Sequence, residues 1–450
     1  MNTQVVSRSG ACALSDPPGS EHGAAAGDLV RASLRTLFTT LAVTAAGFFT
    51  SVITARLLGP EGRGLLSAAL MIATLAAGVA QCGLATSLVY HRGAGRGFAY
   101  ARLVAISLLA VCAVAAALAA GGLRFSADAG LQSHTWLIPG LAACLAAQTY
   151  FMTAAQLQPG LGFFNAMRFG IVGGNLAALL VLLAALGAVG YEDIVATQLV
   201  VAALLAAAGV LWVRGRLGSG ARPAARWRDI LSYGISHHGT VFLGLVLLNF
   251  DKIVLLKLGT MVQYGFYALA FTTSRLVGAL QEAVSAALYA RFAGKDPAQL
   301  SAGVKAAFRL TFLPMLVVAT AAAAVSPWLI VLLFGQAFAS MTPAFCILLF
   351  ECVVGGASWI LAQRFNAAGR PGMVFVRQLV SVLPVFAALP LLPRENLHVW
   401  LSLLMLAGAS LRLAATMVLY PLVAGERVPG LLPHAADWRL LRAMLPGRRT

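Results

Sequence analysis

Residues 169–190 read FGIVGGNLAALLVLLAALGAVG, 22 positions without a charged side chain. At a rise of about 1.5 Å per residue, a helix of this length crosses the roughly 30 Å hydrocarbon core of a bilayer. The same texture recurs on both sides of it. Twelve mostly apolar stretches are expected to span: residues 36–55, 64–90, 103–121, 135–156, 169–190, 194–213, 232–252, 264–290, 308–325, 343–363, 374–392 and 399–421. Short polar or Gly/Pro-containing turns separate them. A thirteenth apolar run, 326–338, is short and reads as an extension or interfacial segment. Over all 450 residues 60% are hydrophobic and 10% charged, against about 25% charged in a soluble domain. The chain is therefore expected to be an all-α membrane protein, with no room for a soluble catalytic domain.

The formal charge is +17, from 32 Lys and Arg against 15 Asp and Glu. In a soluble protein such a charge would suggest nucleic acid as partner. With the N-terminus in the cytoplasm, however, 24 basic residues fall at cytoplasmic connections and tails and six at outer ends, leaving Arg275 and Arg412 inside spans. The positive-inside rule then predicts a multi-pass protein with both termini cytoplasmic and no nucleic-acid partner. The expected organisation is a disordered cytoplasmic tail over 1–30, which lacks the apolar region of a cleavable signal, an N-lobe of six helices over 31–213, a basic linker over 214–231, a C-lobe of six helices over 232–424, and a cytoplasmic tail over 425–450. Trp438, Leu441 and Leu445 give that last tail the spacing of an amphipathic helix. Five of the six cysteines, Cys82, Cys112, Cys144, Cys346 and Cys352, lie in apolar segments, Cys12 lies in the first tail, and none form a CxxC pair. They read as packing residues, and no cofactor or metal is expected.

An internal repeat organises the spans. Residues 52–70 read VITARLLGPEGRGLLSAAL and residues 254–271 read VLLKLGTMVQYGFYALAF. Setting Gly64 over Gly265 aligns GLLSAAL with GFYALAF and brings Gly59 near Gly259 across a one-residue gap. The offset of about 200 residues corresponds to six spans. Six is even, so both halves enter from the same face and are related by a pseudo-two-fold axis along the membrane normal.

The sequence resembles the bacterial polysaccharide (Wzx-like) flippase branch of the multidrug/oligosaccharidyl-lipid/polysaccharide exporter superfamily. The resemblance is carried by ARLLGPEGRGLLSAAL at 55–70, NFDKIVLLKLGTMVQYGFYALAF at 249–271, LLFGQAF at 332–338 and LAQRFNAAGRPG at 361–372. It implies two six-helix lobes facing each other across a central cavity in the inner membrane. It further implies export of polyprenyl-diphosphate-linked oligosaccharide from the cytoplasmic leaflet, with membrane lipids around the chain and a polysaccharide polymerase or other biosynthesis protein as a further candidate partner. Lipid II flippases of the same superfamily usually carry two more C-terminal helices, which weighs against that assignment.

Ionisable residues inside spans are costly and tend to face a cavity or a partner. Arg275, Glu351 and Arg412 lie 11, 8 and 13 residues from the outer ends of the eighth, tenth and twelfth spans, about 16, 12 and 20 Å deep. Glu282 shares a helical face with Arg275 about 10 Å further along. Arg275 and Arg412 are expected to bind an anionic diphosphate through forked hydrogen bonds, or else to neutralise Glu351 in a structural pair. Arg56 and Lys252, at outer span ends, are further candidate binding residues, against snorkelling to headgroups. Glu282 and Glu351 are the deep carboxylates open to ion coupling or charge pairing. Asp251 reads as a local partner of Lys252, and His237 and His238 as interfacial.

Catalytic readings find little support. A membrane polymerase or ligase would be expected to carry a large outer loop, and residues 123–134 form about the longest candidate. HExxH, GxSxG and Walker sequences are absent, so the chain is expected not to be an enzyme. A cation-coupled drug antiporter would be expected to carry acidic residues in its first lobe, whereas the only acids there, Glu61, Asp128, Glu192 and Asp193, fall in loops.

Overall fold

A computed structural model describes residues 21–93, 100–126, 128–132, 136–155, 162–187, 189–214, 227–292, 297–368, 370–435 and 437. Every regular element among them is helical: α1 (Glu21–Ala80), α2 (Leu84–Gly93), α3 (Tyr100–Phe125), α4 (Ala129–Gln132), α5 (Leu137–Ala155), α6 (Gly162–Leu186), α7 (Tyr191–Arg214), α8 (Trp227–Leu258), α9 (Met261–Phe292), α10 (Pro297–Phe334), α11 (Thr342–Ala367), α12 (Pro371–Ala388) and α13 (Leu397–Leu419). Among the described residues nine helices are long and apolar enough to cross a membrane. The first of these, Ala42–Ala80, contains two limbs joined at a kink. Counting both limbs, and adding α8 and α9, which carry Asp251, Lys252, Arg275 and Glu282, gives a number that agrees with the twelve spans expected.

The kink lies where the repeat begins. Gly59 takes φ 65° and ψ −176°, a left-handed φ that suits glycine, and Pro60 opens the second limb at the position where its missing N–H costs nothing. The matching turn before α9 uses different chemistry. Thr260 Oγ1 accepts from the Gln263 amide at 3.2 Å while Gln263 Oε1 accepts from the Thr260 amide at 3.3 Å, a capping box.

The two aligned glycines meet. A Cβ on Gly64 would lie 1.8 Å from the carbonyl oxygen of Met261, and one on Gly265 would lie 2.1 Å from that of Pro60. Each glycine thus faces the carbonyl four residues before its counterpart, so the second limb of α1 crosses α9 backbone against backbone. Beside this crossing each half reaches into the other. Arg56 donates from Nε to the carbonyl of Leu333 at 2.8 Å and from Nη2 to that of Leu332, at the C-terminus of α10. Lys257, opposite Arg56 in the ungapped Gly64 to Gly265 register and one residue along from it once Gly59 is set over Gly259, donates to the carbonyl of Phe125 at 3.2 Å, at the C-terminus of α3. Each cation satisfies last-turn carbonyls at the negative end of the other half's helix.

The halves also touch at the opposite end. The break at Cys82 (φ 44°) and Gly83 (φ 64°) lets α2 approach α8, where a Cβ on Gly83 would lie 2.2 Å from the Gly234 carbonyl oxygen. Ser87 donates to the Ile230 carbonyl at 2.8 Å, and Tyr90 stacks on Tyr233 at 4.3 Å. Within the halves, α5 packs between α3 and α7, and α11 between α9, α10 and α13.

Several expectations need amendment. The helix starts at Glu21, inside the tail expected over 1–30, whose first 20 residues lie outside the described ones. The expected ninth span, 308–325, runs instead from Pro297 to Phe334, so most of 326–338 is a helical extension, followed by a 3-10 turn over Gln336–Met341. Most of the linker, 215–226, and the amphipathic segment from Trp438 onward lie outside the described residues. The chain after α13 is tied down: Glu426 pairs with Lys305 at 2.9 Å and Arg364 at 2.9 Å and accepts from Ser301, while Asp437 accepts from Arg309 Nε at 2.7 Å. Partial burial pushes the Glu426 carboxyl up, but the hydrogen bonds from Ser301, Lys305 and Arg364 outweigh it and hold it below its ordinary value. Asp437 is held low by the Arg309 guanidinium.

Candidate functional site

Helices α8, α9, α11, α12 and α13 line a partly open cavity of about 1170 Å³, larger than the roughly 300–1,000 Å³ usual for small-molecule sites. Arg275, Arg412, Glu351 and Glu282 all lie on its wall. The sequence spacing explains why. Arg275 and Glu282 are seven residues apart on α9, two turns along one face. Glu351 and Arg412 project from the neighbouring α11 and α13 at similar depth.

Arg275 Nη2 lies 2.7 Å from Glu351 Oε2; the carboxylate is 4% exposed and the guanidinium 33%. Two features keep Glu351 from belonging to Arg275 alone. A Cβ on Gly355 would stand 3.4 Å from Arg412 Nη2 and 3.5 Å from Glu351 Oε1, so both groups lean over the same glycine. Among the described residues no ion pair is formed by Arg412. The guanidinium of Arg275 also lies 4.2 Å from the Phe271 ring centre, and Lys252 Nζ lies 3.9 Å from the same ring. Phe271 is thus flanked by two cations, each in cation–π range. Asp251, fully buried, pairs with Lys252 at 3.6 Å and accepts from Tyr267 Oη at 2.5 Å.

Of the sequence candidates, the structure brings Arg275, Arg412, Glu351 and Glu282 together and sets Lys252 behind Phe271. Arg56 stands apart, on the Leu332 and Leu333 carbonyls. Gly355 and Gly356 clear space for polar groups: a Cβ on Gly356 would meet Gln281 Oε1 at 2.4 Å. Gly170 and Gly174 lie against Leu205 and Val201 of α7.

Two further arginines are buried among side-chain hydroxyls. Arg377, counted with the cytoplasmic connections, is 1% exposed inside α12. Its Nη1 donates to Ser358 O at 3.0 Å, Ser358 Oγ at 2.7 Å and Thr416 Oγ1 at 3.1 Å. Arg63, counted with the outer ends, is 8% exposed and donates to Thr54 Oγ1 at 3.0 Å and Ser51 Oγ at 3.4 Å. The available signal was that Arg377 falls inside the apolar stretch that begins at 374, where insertion cost alone calls for partners.

A family model described as polysaccharide biosynthesis protein matches residues 53–343. The chain belongs to that family. No curated protein matches it. Among solved structures it is similar to lipid II flippase MurJ in an inward closed conformation, with TM-score 0.65 and 10% identity over 86% of this chain and 87% of that one. It is also similar to an inward-facing multidrug resistance MATE family transporter of the MOP superfamily, with TM-score 0.60 and 15% identity over 87% and 96%. A mutant of the Vibrio cholerae MATE transporter VcmN matches with TM-score 0.55 and 12% identity over 90% and 98%. At these identities the likeness is one of fold. This polysaccharide biosynthesis family member is therefore a multi-pass membrane protein with the transporter fold shared by MATE and MurJ structures.

Proposed function

We propose that the protein carries polyprenyl-diphosphate-linked oligosaccharide units across a bacterial inner membrane by alternating access, for surface or secreted polysaccharide, acting as a carrier and not as an enzyme. One observation supports this above all: Arg275 and Arg412 stand on the wall of one cavity at mid-helix, with Glu351 between them. An anion entering there exchanges Glu351 for itself. Its phosphate oxygens take the forked N–H donors of both guanidinium groups, and Glu351 is released to accept a proton or ion, which makes it, with Glu282, the candidate coupling group. In the first half Glu61 follows Pro60 at the start of the second limb of α1 and Glu192 and Asp193 stand in the first turn of α7, so no acid of that half lies at mid-span, which favours an anionic over a cationic cargo. Both termini are read as cytoplasmic.

The test is a cycle of four variants, measuring membrane abundance and polysaccharide export. Arg275→Ala is expected to abolish export at normal abundance, because Arg412 remains beside Glu351 and limits the ~3–5 kcal/mol cost of orphaning a buried partner. Arg275→Lys retains part of the export. If Arg275→Ala with Glu351→Gln restored export, Arg275 would be assigned to structure. Loss of drug resistance with normal polysaccharide in a deletion strain would instead favour antiport.

A further inference from the structure

The cavity is not chemically uniform along its length. Its charged groups gather near Arg275, Glu351 and Arg412. From there toward the C-terminal ends of α9 and α11 the lining changes to uncharged hydrogen-bonding groups: Gln281 and Ser285 on α9, Gln363 and Asn366 on α11, Gln378 on α12. Ser285 lies ten residues beyond Arg275 and Gln363 twelve beyond Glu351, so this second zone extends about 15–18 Å from the first. Trp359, 46% exposed, lines it too and is backed by the Arg377 guanidinium 5.5 Å from its ring centre.

These amides are positioned rather than loose. Gln363 Nε2 donates to Ser285 Oγ at 2.9 Å, Asn366 Nδ2 donates to Gln363 Oε1 at 3.4 Å, and Gln281 Nε2 donates to the Val353 carbonyl at 3.2 Å. Gln281 is 1% exposed, and its Oε1 finds no hydrogen-bond partner among the described residues. Side-chain amides offer both donors and acceptors, as sugar hydroxyls do, and an indole face suits the C–H face of a pyranose. The charged side chain on this zone's wall is Glu282, an acid. Arg377 lies behind the wall with Nη1 shared among Ser358 and Thr416 oxygens.

We propose that this zone is a subsite for uncharged sugars of the lipid-linked glycan, with Trp359 as its platform, and that Glu282 disfavours acidic sugars there. The inference rests on the reading of Arg275 and Arg412 as the diphosphate site and orients the cargo: diphosphate at mid-helix, sugars toward the α11–α12 connection. Selectivity among glycans then follows from one carboxylate and a row of amides.

The experiment uses the full chain in detergent and three probes: a bare polyprenyl diphosphate, the same lipid bearing a neutral hexose disaccharide, and the same lipid bearing a disaccharide with a uronic acid. Equilibrium binding of the neutral glycolipid is expected to be about tenfold tighter than that of the bare lipid, the effect of one or two good hydrogen bonds. The acidic glycolipid gains nothing. Gln378→Leu, at a half-buried position, removes the gain without changing affinity for the bare lipid. Glu282→Gln admits the acidic glycolipid with the neutral one's affinity, a gain that misfolding cannot mimic. Equal binding of the acidic and neutral glycolipids by the unaltered protein would overturn the subsite, as would a bare lipid that binds as tightly as the neutral glycolipid. Failure of the bare lipid to bind at all would overturn the diphosphate reading beneath it.

Discussion

Adding one methyl group at the crossing of the two repeats tests whether that contact is as close as it looks. In Gly64→Ala the new Cβ would lie 1.8 Å from the Met261 carbonyl oxygen, and real Cβ contacts essentially never fall under 3.0 Å. The opposing atom is backbone, so no side chain can swing aside, and the second limb of α1 must separate from α9 by at least about 1.2 Å, the difference between those two figures. Gly265→Ala requires about 0.9 Å by the same subtraction from 2.1 Å. Overpacking of this kind costs ~1–3 kcal/mol. Because both methyl groups press on one crossing, separation forced by the first relieves the second. The double variant is therefore expected to be destabilised little more than either single one, a coupling of ~1 kcal/mol or more. Thermal unfolding of the purified protein in one detergent, with retention of fold checked by circular dichroism, measures all four corners. Strict additivity, or melting temperatures within a degree of the unsubstituted protein, would refute the close crossing.

Two further outcomes follow from contacts at the ends of the bundle. Arg56→Ala with Lys257→Ala removes a cation from two helix C-termini, ~0.3–1 kcal/mol each, and should loosen the neighbouring crossing; Cys substituted for Met261, which is 6% exposed, is then expected to react with a membrane-impermeant maleimide several-fold faster in an otherwise cysteine-free chain, and unchanged labelling would count against the clasp. At the other end, Glu426 and Asp437 are held below their ordinary values, so their contribution to stability is fully present above the usual carboxylate range and is lost as pH falls through the depressed values; Glu426→Gln should flatten the acid side of the melting-temperature profile while Arg309 and Asp437 retain theirs, and an unaltered acid limb would show that the Glu426 contacts contribute nothing.

The sequence made the helices legible because hydrophobic length is read against one fixed thickness, and the repeat was legible because Gly64 and Gly265 answer the same steric demand. Arg275, Glu351 and Arg412 were found together because charges at mid-span in a low-dielectric medium have few places to go. What escaped was lateral. Nothing in the linear pattern says that Arg56 reaches α10 and Lys257 reaches α3, since each bond joins residues more than a hundred positions apart. Arg377 escaped for a different reason: a basic residue four positions into an apolar run looks like an interfacial anchor until Ser358 and Thr416 are seen to surround it. The amide zone was also invisible, because Gln281, Gln363 and Gln378 come from three helices whose rotation about their own axes the sequence leaves open.

The reciprocal contacts of Arg56 and Lys257, and of Gly64 and Gly265, have the logic of an isologous interface, in which residue i meets residue j and j meets i, folded into a single polypeptide. A half bearing one basic residue and one glycine at these positions carries both the group that caps a neighbour's helix and the helix end to be capped. Such a unit is self-complementary and closes as a two-fold pair. Fusing two copies preserves that geometry while releasing the rest of each half from identity. The asymmetry of this chain, with a hydrogen-bonding cavity lined by α8, α9, α11, α12 and α13, is what a covalent pair permits and a strict homodimer forbids.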